Sequence, residues 1–295
     1  MEKKKYASNK IILLGSNGSI GKSLKDFLFT KKIDCIALDL PRYDITKKNF
    51  KISKNLFSKE CTYTIINCIG LMGADISKKN IENFLYVNGI AVSNIFSHFK
   101  DINIKKIIQL SSETVYGHGI NLHEKSKKNP THPYSISKLI AEISLSNFIK
   151  ISGKKVKMII LRLPVIVFNN QKFPNTLSIM CKDAKMGRKL IIFGEGKHYR
   201  KYLHENDLNE IIYKVFLKTF VENKINYFNL PGFKANTVEI INILKKIRKN
   251  LKIEFITKSN KAFSLLSNSS NFDEVFNYKL KINLKQMIET LYGKK

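Results

Sequence analysis

Tyr134 and Lys138 stand four residues apart. On a helix they would share one face, one turn apart. An ammonium beside a phenol favours the phenolate, so this tyrosine is expected to ionise below its usual value of about 10. So tuned, it can give and take a proton near neutral pH. That chemistry moves a proton on or off a hydroxyl while a hydride moves on or off its carbon. Spacing alone does not establish it, because a lysine-rich chain also places such pairs on plain exposed helix faces. A second hydroxyl, Ser112, stands where an apolar run gives way to Ser111-Ser-Glu-Thr-Val-Tyr-Gly117. Taken alone, it is equally suited to capping a turn.

Such a pair needs elements that hold it beside a redox cofactor, and the rest of the chain reads that way. Lys10 to Gly15 is an apolar run ending in glycine, which predicts a buried parallel strand. Gly15-Ser-Asn-Gly18-Ser-Ile-Gly21 follows, then helical periodicity from Lys22 to Thr30. Strand, glycine-rich turn and helix are the context of a dinucleotide site. Gly15 would allow the tight turn, Gly18 the approach of a pyrophosphate and Gly21 close helix packing. Asn17, Ser19 and Ile20 in the same turn are expected to touch the cofactor. Asp39 ends the next strand, Ile33 to Leu38, where an acid accepts from the adenosine ribose and repels a 2′-phosphate. It favours NAD, and Arg42 close by leaves NADP open. Asp44 and Ile45 are expected at the adenine edge.

Asn67, Ile69 and Gly70 close the apolar strand that starts at Thr62, and open α/β sheets bind ligands at the carboxyl ends of their strands. Periodicity predicts a helix over 80–99 with Asn88 at its centre, a strand over 105–110, a helix from His132 to about Ile151 carrying Tyr134, and a strand over 156–163 closed by Pro164. This alternation predicts an α/β fold, a Rossmann-type doubly wound parallel sheet. Beyond Pro164 the rhythm changes. Helices over 174–186 and 208–220, from 237, and ending at Tyr292 mix with strands over 189–193, 227–230 and near 253. These pieces predict a smaller C-terminal α/β lobe that binds substrate, formed by 166–202 and 233–295. Residues 1–165 with roughly 203–232 would form the dinucleotide-binding domain. The polar stretch Gly194 to Asp207 is expected to be a loop whose basic residues clamp an anionic substrate tail.

Net charge is +29, from 52 basic and 23 acidic residues. Such a field attracts anions, yet only five of the basic residues are arginine, the usual choice for forked recognition of phosphate and guanine. No nucleic-acid role is expected. The four cysteines show no CxxC spacing, and no Cys/His pattern suggests zinc. No apolar run approaches membrane-spanning length, so no membrane partner and a cytoplasmic location are expected.

Taken in order, Gly15/Gly18/Gly21, Asp39, the Asn67 to Gly70 turn, the block at 111–117, Tyr134/Lys138, Leu161-Arg162 and the Gly-x-Gly-x-x-x-Arg stretch ending at Asp207 carry a resemblance. From Lys10 to about Tyr292 the chain resembles an extended short-chain dehydrogenase/reductase of the NAD-dependent epimerase/dehydratase type, which acts on nucleotide sugars. The resemblance implies that Tyr134 is the acid/base and that Lys138 binds the nicotinamide ribose and lowers the tyrosine pKa. It implies that Ser112 hydrogen-bonds the reacting oxygen, that Asn88 supports the cofactor site and that Arg200 holds the substrate diphosphate. Glu113, Thr114 and Asp207 are expected near the substrate. A homodimer through the helices of Tyr134 and Asn88 is also implied.

Two departures from the family pattern stand out. Dehydratases carry an Asp-Glu pair after the catalytic Ser/Thr, where this chain has Glu113-Thr114, and the asparagine often found after Leu161-Arg162 is missing. The leading expectation is an NAD(P)-dependent nucleotide-sugar epimerase working through a 4-keto intermediate, in surface polysaccharide or glycoconjugate biosynthesis. A nucleotide-sugar 4-ketoreductase is the alternative. A non-catalytic NAD(P)-binding redox sensor or RNA-binding protein is opposed by the intact Ser112, Tyr134 and Lys138.

Overall fold

The computed structural model describes residues 9–72, 81–152, 155–170, 174–221, 224–257 and 263–293. Strand β1 (Asn9–Leu14) is apolar without a break from Ile11 to Leu14 because both of its faces are covered. Ile11 and Leu13 pack with Leu24 and Leu28 of helix α1 (Ser19–Thr30), while Ile12 and Leu14 pack on the other face. After β2 (Cys35–Leu38) and β3 (Thr62–Asn67) come α2 (Ile81–Asn88), a 3-10 turn over Ile90–Ser93, and α3 (Asn94–His98). The continuous helix expected over 80–99 is therefore broken, and Asn80 lies outside the described residues. The break falls at Gly89, where a Cβ would stand 3.0 Å from the Ile140 side chain and 2.6 Å from the Leu85 carbonyl oxygen. Tertiary packing overrides the helical periodicity there.

Strand β4 (Ile104–Ser112) runs two residues past the expected end and leads through a 3-10 turn, Glu113–Tyr116, to β5 (Gly119–Leu122). The long helix α4 (Pro133–Ser152) and β6 (Lys157–Leu163) follow. The second part holds β7 (Val165–Val167), α5 (Thr176–Met186), β8 (Leu190–Phe193), β9 (Arg200–His204) and α6 (Glu205–Leu217). It continues through β10 (Ile225–Asn229), β11 (Phe233–Ala235), α7 (Thr237–Ile247), β12 (Ile253–Ile256), β13 (Leu265–Ser267), α8 (Ser270–Phe276) and α9 (Leu284–Tyr292). The stretch expected as a loop over 194–207 thus contains a strand and the first turn of a helix. The apolar residues of β9, Tyr202 and Leu203, interrupt a polar composition that otherwise reads as loop.

Six parallel strands form the main sheet in the order β10-β6-β4-β3-β1-β2. From β1 the chain crosses to β2 on one side and resumes on the other with β3, so the sheet reverses direction between β1 and β3. The loops after these two strands meet: a Cβ on Gly15 would stand 2.8 Å from the Ile69 amide nitrogen. This is the switch point at which doubly wound sheets open a crevice. The smaller sheets are β11-β9-β7, β12-β8 and β13-β5, and α5, α7 and α9 enclose a separate core with β8 and β9. No helix among the described residues is long and apolar enough to cross a membrane.

Lys106 joins the main sheet to α6. Its ammonium donates to the carbonyls of Val215 at 3.1 Å, Phe216 at 2.6 Å and Lys218 at 2.8 Å. These groups are the open carbonyl end of the helix, and a cation there also opposes the helix dipole. Burial pushes its pKa down to about 8. Lys106→Met leaves those carbonyls without the donor, and denaturant unfolding should show a loss of about 2 kcal/mol or more.

Candidate active site

The first wall of the crevice is the glycine turn. Gly15 has φ +76°, a conformation that favours glycine. A Cβ on Gly21 would stand 2.0 Å from the Gly15 carbonyl oxygen, so α1 packs directly on the turn. A Cβ on Gly18 would meet only that same oxygen, at 3.4 Å, and would otherwise project into open space at the N-terminus of α1. Asn17 and Gly18 are exposed and Ser19 and Ile20 half-buried there. Asp39 ties the turn to β2: its carboxylate accepts from the amides of Asn17 at 2.7 Å and Leu40 at 2.8 Å. Gly18→Ala should fold as stably as the parent but lose about tenfold or more in NAD affinity by calorimetry, because the methyl occupies the space a pyrophosphate needs.

The second wall is the loop after β3. Asn67, expected at the ligand, is fully buried: it donates to Gln109 at 2.8 Å and accepts from the Ile69 amide at 3.1 Å. Its work is to shape the turn that exposes Gly70. Asn88 acts from the other side, clasping both backbone groups of Leu71 at 2.6 and 3.0 Å. Asp44 and Ile45, expected at the adenine edge, lie in the loop after β2. The Asp44 carboxylate is held by Thr46 at 2.6 Å, which keeps its pKa low, and Ile45 is buried in the core. The apolar character of Ile45 serves packing here.

The third wall is α4. Tyr134 and Lys138 do share one face, with the ammonium 5.7 Å from the centroid of the phenol ring. Lys138 is 6% exposed and lies against Gly70, 3.0 Å from where a Cβ would stand. Its one hydrogen bond among the described residues goes to the Leu110 carbonyl at 3.3 Å. A buried ammonium with donors to spare is a ready partner for ribose hydroxyls. Burial pushes its pKa down to about 8, opposed by Cys68. The tyrosine departs from expectation: burial pushes it up to about 12, and the Ser112 hydroxyl beside it pulls the other way. The reason is geometric. In the protein alone the lysine sits under the ring face rather than at the oxygen, so desolvation wins.

Ser112 both faces Tyr134 and caps the following turn, accepting from the Thr114 amide at 3.2 Å and the Thr114 hydroxyl at 2.9 Å. Thr114 thereby reaches the site through Ser112. Glu113 does not. It is 2% exposed, accepts from Ser267 at 2.8 Å and lies 3.8 Å from Lys201. Asp207 is likewise buried, accepting from Tyr278 at 2.6 Å and from the amides of Lys281 and Ile282. Arg200 on β9 donates from Nη1 to the Tyr199 carbonyl at 3.0 Å and to that of Phe263. Among the described residues its Nε and Nη2 make no hydrogen bond, and that edge suits an anion.

Sequence reasoning missed the polar cluster beneath α4. Glu142, one turn after Lys138, holds Arg162 in a two-pronged pair at 3.0 and 2.7 Å and accepts from Ser111 at 2.6 Å. Arg162 also donates to the Tyr116 hydroxyl at 2.7 Å, which donates on to Asn229 at 2.7 Å. The signal was available: Tyr134, Lys138 and Glu142 repeat at four-residue spacing. A cavity of about 1010 Å³ opens between α1 and α6, reaching Asn17 and Ser19 of the glycine turn and Asp207, and none of Ser112, Tyr134 or Lys138 lines it.

The crevice fits a dinucleotide at both ends: an uncluttered helix N-terminus at Gly18 and a donor-rich buried ammonium at Gly70. Comparisons with known proteins agree. The model of the NAD dependent epimerase/dehydratase family matches residues 11–229. A dTDP-D-glucose 4,6-dehydratase of Dictyostelium discoideum is 27% identical over 237 residues, which are 68% of this chain and 53% of its own. A UDP-glucose 4-epimerase of Cyamopsis tetragonoloba is 29% identical over 213 residues, 65% of this chain and 60% of its own. The chain spans about half the length of the curated relatives it matches. Among solved structures, MoeE5 in complex with UDP-glucuronic acid and NAD shares the fold with a TM-score of 0.80 at 18% identity, over 95% of this chain and 97% of that one. With a family match that runs from β1 to the end of β10, this chain belongs to the NAD-dependent epimerase/dehydratase family.

Proposed function

We propose that the protein is an NAD-dependent nucleotide-sugar epimerase that works at C4 through a 4-keto intermediate. The observation that carries the reading is the meeting of Ser112 and Tyr134 above Lys138, at the switch-point crevice. Tyr134 takes the proton of the sugar hydroxyl and returns it, and Ser112 orients the same oxygen. Lys138 holds the cofactor ribose. NAD, when bound, would supply the hydride acceptor and donor and a positively charged ring that favours the Tyr134 phenolate, the form that takes the proton. Arg200 meets the diphosphate with its unengaged guanidinium edge.

Its relatives include both dehydratases and epimerases, and Glu113 supports the second activity. Eliminating water needs an acid facing the sugar, and Glu113 is turned away onto Ser267 and Lys201. The test is incubation with NAD and, in turn, UDP-glucose, UDP-glucuronic acid and dTDP-glucose, followed by NMR of the products. A C4 epimer formed without net NADH supports the reading. A 4-keto-6-deoxy product overturns it. The reading extends to a supply role in surface polysaccharide or glycoconjugate synthesis.

The working form is a homodimer in this reading. Exposed Ile136, Ile143 and Ile151 recur at seven- and eight-residue spacing along α4, with exposed Tyr86 and Ile90 on the helix and turn packed beside it. An apolar stripe of this kind suits a partner helix. Sedimentation at micromolar concentration should show a dimer, and Ile143→Glu should give a monomer.

A further inference from the structure

The cluster beneath α4 invites a question that the reaction itself does not answer. Arg162 and Glu142 are 2% exposed each, and their pair is two-pronged. A buried ion pair contributes little to stability over well-packed apolar side chains of the same volume. What it offers instead is direction, because forked bonds fix angles as well as distances. Here the direction falls on the reacting residues. Ser111, bonded to Glu142 at 2.6 Å, is the neighbour of Ser112. Glu142 stands on the same face of α4 as Lys138 and Tyr134, one and two turns further on. Arg162 reaches from β6 and is bonded at its far edge to Tyr116, which ends the turn that Ser112 caps. The ion pair thus ties the strand bearing Ser112 through Ser111, the turn after it through Tyr116, and the helix bearing Tyr134 through Glu142 itself.

We propose that Glu142 and Arg162 are positioning residues, whose forked pair with Ser111 and Tyr116 sets the register of α4 against the end of β4 and so holds Tyr134 and Lys138 opposite Ser112. The proposal rests on those three being the working set. Replacing the pair with apolar residues of similar size keeps the packing and removes the direction, so the fold should survive while the geometry loosens. A displacement of about 1 Å at reacting atoms is enough for a hundredfold loss of rate.

Lys138 reports the register without any substrate. Cys68 faces it from the end of β3 and Tyr134 from its own helix, and only a close seal keeps its ammonium dry. In protein carrying ¹³C-labelled lysine, its side-chain carbon should titrate near 8, assigned by its loss in Lys138→Met. Lys106, which burial also pushes down to about 8, sits at the end of α6 and serves as the internal control. In Glu142→Leu/Arg162→Met the Lys138 midpoint should rise by about one unit or more as water reaches it, with Lys106 unmoved. Turnover of whichever nucleotide sugar the parent accepts should fall about a hundredfold in kcat, with KM within a few-fold. An unchanged Lys138 midpoint and kcat would overturn the proposal, as would equal movement of both lysines, which would mark a general loosening. Should the double variant fail to fold, Ser111→Ala decides: an upward shift confined to Lys138 supports the proposal, and no shift overturns it. If the parent turns over no nucleotide sugar, the functional reading falls while the titration still decides the register.

Discussion

Tyr134→Phe should lower turnover by about a thousandfold or more and leave NAD affinity within a few-fold of the parent. The variant keeps the ring that packs over Lys138 and removes only the hydroxyl that faces Ser112. Of the other acids near it among the described residues, Glu113 is locked onto Ser267 and Lys138 is sealed beneath the ring. Calorimetry with NAD and product NMR with the accepted nucleotide sugar separate the two effects. Loss of both binding and turnover would mean that Tyr134 supports the crevice rather than the reaction. Ser112→Ala should cost less, because the phenol remains and only its alignment suffers.

Gly21→Ala should cost both the cofactor and the fold. A methyl there would stand 2.0 Å from the Gly15 carbonyl oxygen, 2.8 Å from its carbon and 2.9 Å from the Ser16 Cα. All three are backbone atoms of a turn pinned by Asp39 on one side and by the Ile69 loop on the other. Neither α1 nor the turn can yield without opening the switch point. The loss should be about 2–4 kcal/mol in denaturant unfolding, with NAD binding too weak to detect. Gly18→Ala is the matched control, since its methyl meets one atom at an ordinary distance. A Gly21→Ala protein as stable as Gly18→Ala would mean that the turn is softer than its contacts indicate.

Much of the dinucleotide half was legible in the sequence, for a physical reason. Strands buried on both faces read as apolar runs, unbroken over Ile11 to Leu14 in β1 and Met158 to Leu161 in β6 and shorter in β3 and β4. The glycine turn was legible because glycine is demanded by close approach, as at Gly21, and not only by composition. The helix over 80–99 was misread because its periodicity continues through Gly89, where α4 imposes the break. The short strands β7, β9 and β11 were missed because three to five residues carry too little pattern.

Within the site, spacing put Tyr134 and Lys138 on one helix face, and the family resemblance set Ser112 beside them. They did not reveal direction: Glu113, Asp207 and Asn67 have the right chemistry at the right positions, yet each side chain turns into the protein to satisfy a buried partner. Nor did they foresee the tyrosine's raised pKa, because sequence shows the neighbouring charge but not the burial that outweighs it.

The most direct test follows a labelled hydrogen. UDP-glucose, UDP-glucuronic acid and dTDP-glucose, each deuterated at C4, are incubated with the protein and a trace of NAD, and the products are read by NMR. The account expects one of them to give its C4 epimer with the deuterium still on C4 and no accumulation of NADH, because the hydride leaves and returns within one site. Deuterium delivered to another carbon, net reduction of the cofactor, or no turnover of any of the three by protein that binds NAD would contradict it.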